Sequence, residues 1–142
     1  MSLMLEGEIV LADELCRTDI LALVHETYAR MSTPGSNPGE LMAHEDMTVS
    51  GSGLGELAYG PEVVEGMANA VASWGFTWTA ETVTVWREGQ VAWAQILGTV
   101  HVTRDGNDEW VPYWTTAVFA KNVDGWEWRY WGGAEPQESA RV

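Results

Sequence analysis

The order of helical and extended patterns along the chain predicts an α+β domain, in which N-terminal helices cover one face of a curved antiparallel sheet. Two observations favour this fold class. Up to residue 75, apolar side chains recur at three- and four-residue spacings, which is typical of helices. After residue 75 the chain is rich in Thr, Val and Trp, and Glu-Gly or Asp-Gly pairs divide it into four segments, as in an antiparallel meander.

The first helical stretch is predicted over residues 8–31. No Gly or Pro interrupts it, and Thr18-Asp19 resembles a fresh N-cap, so the pattern fits one helix or two that join near Arg17. One apolar stripe runs along its second half and is expected to face the core: Ile20, Leu23, Val24, Tyr28 and Met31.

A short helix is predicted from Pro38 to about His44, followed by a short strand at 47–50 and a glycine-rich loop at 51–55. A third helix begins at Pro61, which suits the first helical position, and ends before Gly75, which suits the position after a helix.

Four longer strands complete the predicted domain. They span residues 76–86, 91–103, 110–121 and 126–131, and short turns join them as neighbours. The sequence therefore predicts a single domain over residues 1–142, with its core at about 8–135 and a loose tail at 136–142.

Charge excludes two classes of partner. The 142 residues include 7 Lys and Arg against 21 Asp and Glu, for a formal net charge of −14. Nucleic acid and anionic membrane surfaces both require a basic footprint, so neither is expected as a partner. Cys16 is the single cysteine and has no partner for an internal disulfide, and no secretory leader pattern is visible, so a cytoplasmic location is expected.

Three stretches together resemble the nuclear transport factor 2-like superfamily, in particular its SnoaL-like branch. They are HEDMTVSGSGLGELAYGPEVV at 44–64, GQVAWAQ at 89–95 and TTAVFAKNVDGWEWRYWGGAEP at 115–136. The resemblance implies a cone, in which a strongly bent sheet wraps around the helices and a pocket opens at the wide end. It also implies a homodimer that pairs through the sheet. Relatives of this kind include ketosteroid isomerases, polyketide cyclases and dehydratases that need no cofactor, and also non-catalytic carriers and assembly domains.

The sequence departs from that family at two catalytic positions. Where a ketosteroid isomerase carries its carboxylate base, this chain has Ser50, Gly51 and Ser52. Where many SnoaL-like relatives carry a histidine in the last strand, this chain has Gly132. An enzyme of this sequence would need other groups for proton transfer.

Three residues are candidates for acid/base chemistry. Tyr28 lies on the apolar stripe, where a phenol can stabilise an oxyanion or can equally serve as a core tyrosine. His101 would be a general base if it points into the cone, but its alternation with Thr99 and Thr103 favours the outer face. Asp108 would be a base near the mouth, or an ordinary hairpin-turn residue. No metal-ligand spacing accompanies the histidines, so neither a metal nor a cofactor is expected.

Tryptophan is the most unusual feature of the composition, because eight of the nine lie in the predicted meander. Alternation groups their side chains on strand faces, and these groups are expected to wall a hydrophobic pocket or to fill the core. The predicted substrate-binding residues are Trp110, Trp114, Thr116, Trp126, Trp128 and Tyr130.

These patterns favour a cofactor-independent enzyme of the isomerase, cyclase or dehydratase type that acts on a small hydrophobic molecule. The alternative is a binding or accessory domain of the same fold. Aromatic walls and strong acidity together also suggest a polycyclic or amine-bearing ligand.

Overall fold

A computed structural model describes residues 11–138 of the chain. The described part contains three helices and six strands. In chain order they are α1 (Glu14–Met31), α2 (Gly39–Met42), β1 (Thr48–Ser50), β2 (Leu57–Tyr59), α3 (Pro61–Ser73), β3 (Thr77–Glu88), β4 (Val91–Arg104), β5 (Asn107–Asn122) and β6 (Gly125–Ala134). The predicted α+β class is confirmed.

Helix α1 is one unbroken helix that begins later than predicted. Asp13 caps it, because its carboxylate accepts the backbone N–H of Cys16 at 2.9 Å. Leu11 forms a β-bridge with Trp86, so the chain just before the cap is extended. The predicted start at residue 8 lies outside the described residues, and of the two alternatives the single helix is the one observed, with no junction near Arg17. The expected apolar stripe does face the core.

The glycine-rich loop 51–55 joins two short strands, and the second of them, β2, was not predicted. The backbone N–H of Gly51 donates to the carbonyl of Glu56 at 2.6 Å and closes the turn. Helix α2 ends at Met42, two residues before the predicted end. Helix α3 agrees with the prediction: Pro61 occupies its first turn, and Gly75 follows it with φ +71°, a value that favours glycine.

The six strands form one sheet in the order β2-β1-β6-β5-β4-β3. Only the β1–β6 pair is parallel, and the remaining neighbours are antiparallel. Two register shifts bend the sheet, one in β3 between Ala80 and Thr82 and one in β6 at Arg129. Strand β5 begins three residues before the predicted start, and β6 extends three residues beyond the predicted end.

Gly98 allows β3 and β4 to approach closely beside the first bulge. A Cβ at this position would overlap the carbonyl oxygen of Thr79 on the neighbouring strand. The sheet therefore needs glycine here because of space, since the position has no left-handed backbone angle.

One face of the sheet, the inner face, packs against the helices. It carries the largest fully buried side chains of the sheet, Phe119, Trp128 and Ile96. The opposite, outer face carries half-exposed residues such as Trp93 and Trp110. The core and the cavity described below both lie on the inner face. No helix among residues 11–138 is long and apolar enough to cross a membrane.

Candidate functional site

A cavity of about 650 Å³ lies between helix α3, loop 51–55 and the inner face of the sheet. Its walls are largely apolar and include Met31, Met67, Phe76, Val100, Val102 and Val111. Small-molecule sites usually occupy about 300–1,000 Å³ and have mostly apolar walls with a few polar groups. The cavity is therefore the candidate functional site.

Three aromatic residues of the wall contact one another, and we call Trp78, Tyr113 and Trp131 the aromatic cluster. The ring centroids of Trp78 and Tyr113 are 4.9 Å apart in an edge-to-face arrangement. Trp131 lies 6.3 Å from Trp78 and 6.5 Å from Tyr113. The indole N–H of Trp78 is buried and has no hydrogen-bond partner among the described residues. The cluster thus combines aromatic surface with polar groups inside an apolar wall.

The Tyr113 hydroxyl is a protonated polar group within this wall. Burial raises the pKa of Tyr113, and the neighbouring polar groups of Trp131 and Ser52 lower that pKa in part. The hydroxyl lies directly over Gly133, where any Cβ would overlap it. A phenol that stays protonated at neutral pH can donate a hydrogen bond to a ligand oxygen.

Loop 51–55 positions the carboxylate of Glu56 at the edge of the cavity. The backbone N–H of Gly53 donates to Glu56 Oε2 at 3.0 Å. A Cβ on Gly53 would approach Glu56 Oε1 to 2.8 Å, so glycine allows the carboxylate to fold back over the loop. The loop thus binds the carboxylate of the residue that follows it, Glu56, with the kind of N–H group that a phosphate-binding loop would offer to its ligand.

Tyr28, a predicted catalytic residue, lies in the core behind the cavity wall. It is 3% exposed, and its hydroxyl shares a hydrogen bond of 2.9 Å with Thr115 Oγ1. Burial raises its pKa, and the bond with Thr115 lowers it in part. Of the two interpretations the sequence left open, this geometry favours the core tyrosine.

His101 and Asp108, the other two predicted catalytic residues, lie together on the outer face and not in the cavity. The His101 ring stacks on Trp110 at 4.2 Å, and its Nε2 lies 3.3 Å from Asp108 Oδ1 without hydrogen-bond geometry. The Asp108 carboxylate also accepts the Thr103 hydroxyl at 3.0 Å. Neither residue serves the pocket, because strand alternation turns both away from it. For His101 this is the outer-face position that its alternation with Thr99 and Thr103 favoured.

Four of the predicted substrate-binding residues also lie on the outer face. Trp110 is 64% and Trp114 45% exposed, and Thr116 lies exposed beside them on β5. Tyr130 is half-buried on β6, next to Gly132. Their predicted position on the pocket wall is corrected. In β5 the residues on either side of Trp114, Tyr113 and Thr115, are the buried ones.

Trp126 and Trp128 lie on the inner face but do not line the cavity. Trp126 is at the far end of the strands, where Arg87 and Lys121 approach its ring at 5.0 and 5.9 Å. Trp128 is fully buried, and its indole N–H donates to Thr27 Oγ1 at 3.0 Å. Their predicted role on the pocket wall is corrected to packing in the core.

Sequence reasoning missed the aromatic cluster and Glu56 as site residues. Strand β5 has large side chains on both faces, so alternation alone did not identify the inner one. The small residues Thr115 and Ala117, which leave room for α1, were the available signal. The bulge at Arg129 returns Trp131 to the inner face, and the sequence carries no clear mark of that bulge.

The described residues also limit what the site can hold. Among residues 11–138, no group of three His, Cys, Asp or Glu side chains is placed to bind a metal ion. The acidic groups at the cavity are Glu56, Glu62 and Glu135, and the basic group is Arg104. The site therefore offers an apolar wall, a phenol and carboxylates.

Comparison with solved structures gives the fold its name. An NTF2-like protein from Novosphingobium aromaticivorans superposes with a TM-score of 0.75 at 20% identity, over 89% of this chain and 85% of that one. The fold is that of the NTF2-like proteins. A candidate dehydratase of the NTF2-like family from Streptomyces avermitilis matches with a TM-score of 0.76 at 12% identity, over 88% of this chain and 99% of its own.

A solved structure of another kind is also similar to this chain. The CaMKII hub from S. rosetta matches with a TM-score of 0.69 at 17% identity, over 84% of this chain and 95% of the hub. No family model matches the sequence, and a search of curated proteins found no relative. The NTF2-like fold is therefore established by shape, and the function has to be argued from the cavity.

Proposed function

We propose that this protein binds a small hydrophobic molecule inside the cone. The observation that carries the proposal is the cavity of about 650 Å³, with apolar walls and the aromatic cluster along one side. Burial of apolar ligand surface would supply most of the affinity, at about 25 cal/mol for each Å² removed from water. The Tyr113 hydroxyl would fix the orientation of a ligand that carries an oxygen acceptor.

The binding proposal is tested with the neutral hydrophobic fluorophore N-phenyl-1-naphthylamine. Val111→Trp places an indole in the cavity wall, and Val91→Trp makes the same change on the exposed outer face. We expect Val111→Trp to weaken probe binding at least tenfold and Val91→Trp to leave it unchanged. Equal effects of the two substitutions, or no probe binding to the unaltered protein, would refute the proposal.

We also propose a second candidate function, acid/base catalysis on the bound molecule. A specific observation favours it: Glu56 and Glu135 line the same cavity as Tyr113, and their charges make a small contribution to its raised pKa, of which burial is the largest cause. A carboxylate beside a protonated phenol can remove a proton next to a carbonyl while the phenol donates to the developing oxyanion. Isomerases, cyclases and dehydratases use this type of step.

Proton exchange in heavy water separates catalysis from binding without knowledge of the substrate. The enolisable ketone 2-decalone would exchange its α-protons faster with a catalytic protein, and NMR follows that exchange directly. We expect Glu56→Gln or Glu135→Gln to slow the catalysed exchange and Glu88→Gln, at the far hairpin, to leave it unchanged. Binding of 2-decalone with no accelerated exchange would exclude this step for that ketone and leave the binding function alone.

We propose that two copies of the chain pair through the outer face. Trp93, Trp110 and Trp114 are 38%, 64% and 45% exposed there, which is unusual for side chains with so much apolar surface. Threonines share this face with them, and the hydroxyls of Thr99 and Thr103 donate to the carboxylates of Glu81 and Asp108 there. The similarity to the CaMKII hub is compatible with self-association.

Sedimentation equilibrium tests the pairing. We expect the unaltered protein to sediment at twice the monomer mass and the Trp110→Ala/Trp114→Ala variant to sediment as a monomer. Leu54→Ala, which removes a fully exposed apolar residue from the loop and not from the sheet, should keep the dimer. A monomeric unaltered protein at 100 μM would contradict the proposal.

A further inference from the structure

The charged groups at the cavity are mostly acidic. Glu56, Glu62 and Glu135 belong to its lining, and Arg104 is the basic residue there. Arg104 does not offset the acids, because its side chain is 64% exposed and its Nη1 lies 3.9 Å from Glu109 Oε2. The net local charge at the mouth is therefore negative among the described residues.

Two of these carboxylates line the same cavity as the Tyr113 side chain, which is 7% exposed. Burial raises the pKa of Tyr113, and the negative charges of Glu56 and Glu135 make the smallest contributions to that shift. A positive group placed beside this hydroxyl would be attracted by the same two carboxylates, and because both are exposed the attraction would be screened by salt.

The aromatic cluster adds a second feature that suits a cation. Its three rings, from Trp78, Tyr113 and Trp131, lie 4.9–6.5 Å from one another along the wall. The face of an aromatic ring attracts an ammonium group, and the attraction grows when water is excluded. Aromatic rings beside carboxylates form a recognised environment for amines, whereas a carboxylate ligand would be repelled here.

We infer that the cavity selects a hydrophobic amine, which places its body against the apolar wall and its ammonium group between the aromatic cluster and the carboxylates of Glu56 and Glu135. This inference rests on the proposed binding function and adds the chemical class of the ligand. The tryptophans of the outer face take no part in it.

Three rigid probes of the same shape test the charge preference directly. They are 1-adamantanamine, 1-adamantanol and 1-adamantanecarboxylate, which are a cation, a neutral molecule and an anion at pH 7. Isothermal titration calorimetry would give the dissociation constant of each at 20 mM and 500 mM NaCl. We expect the amine to bind at least fivefold more tightly than the alcohol at low salt, and the carboxylate to bind most weakly. The preference should shrink at high salt.

Matched variants distinguish the effect of the carboxylates at the cavity on the preference for the amine from the effect of the protein's net charge. Glu56→Gln and Glu135→Gln each remove one negative charge at the cavity, and the amide that replaces the carboxylate in Glu56→Gln would still offer an oxygen to the N–H of Gly53. Glu88→Gln removes one charge at an exposed position at the far end of the strands. We expect the first two to reduce the preference for the amine over the alcohol at least twofold, and the third to leave it unchanged. Circular dichroism would confirm that each variant keeps the fold.

The outcomes distinguish this inference from the binding function. Equal affinity for the amine and the alcohol, or no binding of the amine where the neutral fluorophore binds, would overturn the inference and leave the binding function intact. The same loss of preference in all three variants would also overturn it, because net charge would then explain the effect. No binding of any adamantane or of the fluorophore would refute the binding function itself.

Discussion

The buried hydrogen bond between Tyr28 and Thr115 stabilises the fold, and we predict that it takes no direct part in ligand binding. The two residues are 3% and 0% exposed, and their oxygens are 2.9 Å apart. Tyr28→Phe leaves the buried Thr115 hydroxyl without this partner, and Thr115→Val leaves the buried Tyr28 hydroxyl without it. Each substitution should lower the free energy of unfolding by about 1–2 kcal/mol. The double variant replaces both groups by apolar ones of similar shape, so its cost should be less than the sum by about 1 kcal/mol.

Urea unfolding followed by tryptophan fluorescence measures these free energies, and the same samples can be titrated with N-phenyl-1-naphthylamine. We expect probe affinity in Tyr28→Phe to stay within twofold of the unaltered protein. Costs that simply add in the double variant would refute the assigned hydrogen bond. A tenfold loss of probe affinity with unchanged stability would refute the structural role and restore Tyr28 as a site residue.

Three further predictions concern the scaffold. Thr27→Val removes the acceptor of the buried Trp128 N–H and should cost about 1–3 kcal/mol in urea unfolding, whereas Thr27→Ser should cost clearly less. Gly66→Ala should raise the free energy of unfolding by about 0.5–1 kcal/mol, because the added Cβ lies within a helix and meets open space. Gly98→Ala should unfold at a much lower urea concentration, because its Cβ would overlap the carbonyl oxygen of Thr79. The reverse order of stability would contradict the assigned geometry. The hydrogen bond from the Cys16 N–H holds the pKa of the Asp13 carboxyl below its ordinary value of 3.8. The ionised carboxylate therefore stabilises the folded state above pH 3.8, and this stabilisation is lost as the pH falls through the lower pKa of the folded protein. Between pH 6 and pH 3, Asp13→Asn should therefore lose less stability than the unaltered protein, and an equal loss would argue against this cap.

The helices and the antiparallel meander of the long strands were predictable because they follow local rules. The Pro61 start and the Gly75 stop of α3 are backbone preferences, and the turns between long strands carry Gly at their tips. Strand β2 was missed because three residues are too few for a period to be visible, and its pairing with β1 depends on the turn that Glu56 closes.

The site was less predictable because it depends on which strand face packs against the helices. Two sets of large residues alternate on β5, and tertiary packing rather than local sequence decides between them: Tyr113 packs on Trp78 and Trp131, whereas Trp114 is 45% exposed. The bulge at Arg129 then reverses the face of Trp131 relative to a regular strand. Tyr28 was placed correctly on the stripe of α1, but only the contact with Thr115 shows where its hydroxyl goes.

A crystal structure of the protein with bound 1-adamantanamine would locate the ligand. We expect density for the adamantane cage inside the cone, against Trp78, Tyr113 and Trp131, with the amine nitrogen toward the carboxylates of Glu56 and Glu135. Density for the ligand on the outer face beside Trp110 and Trp114, with an unchanged and empty cavity, would contradict the assignment of the cavity as the binding site.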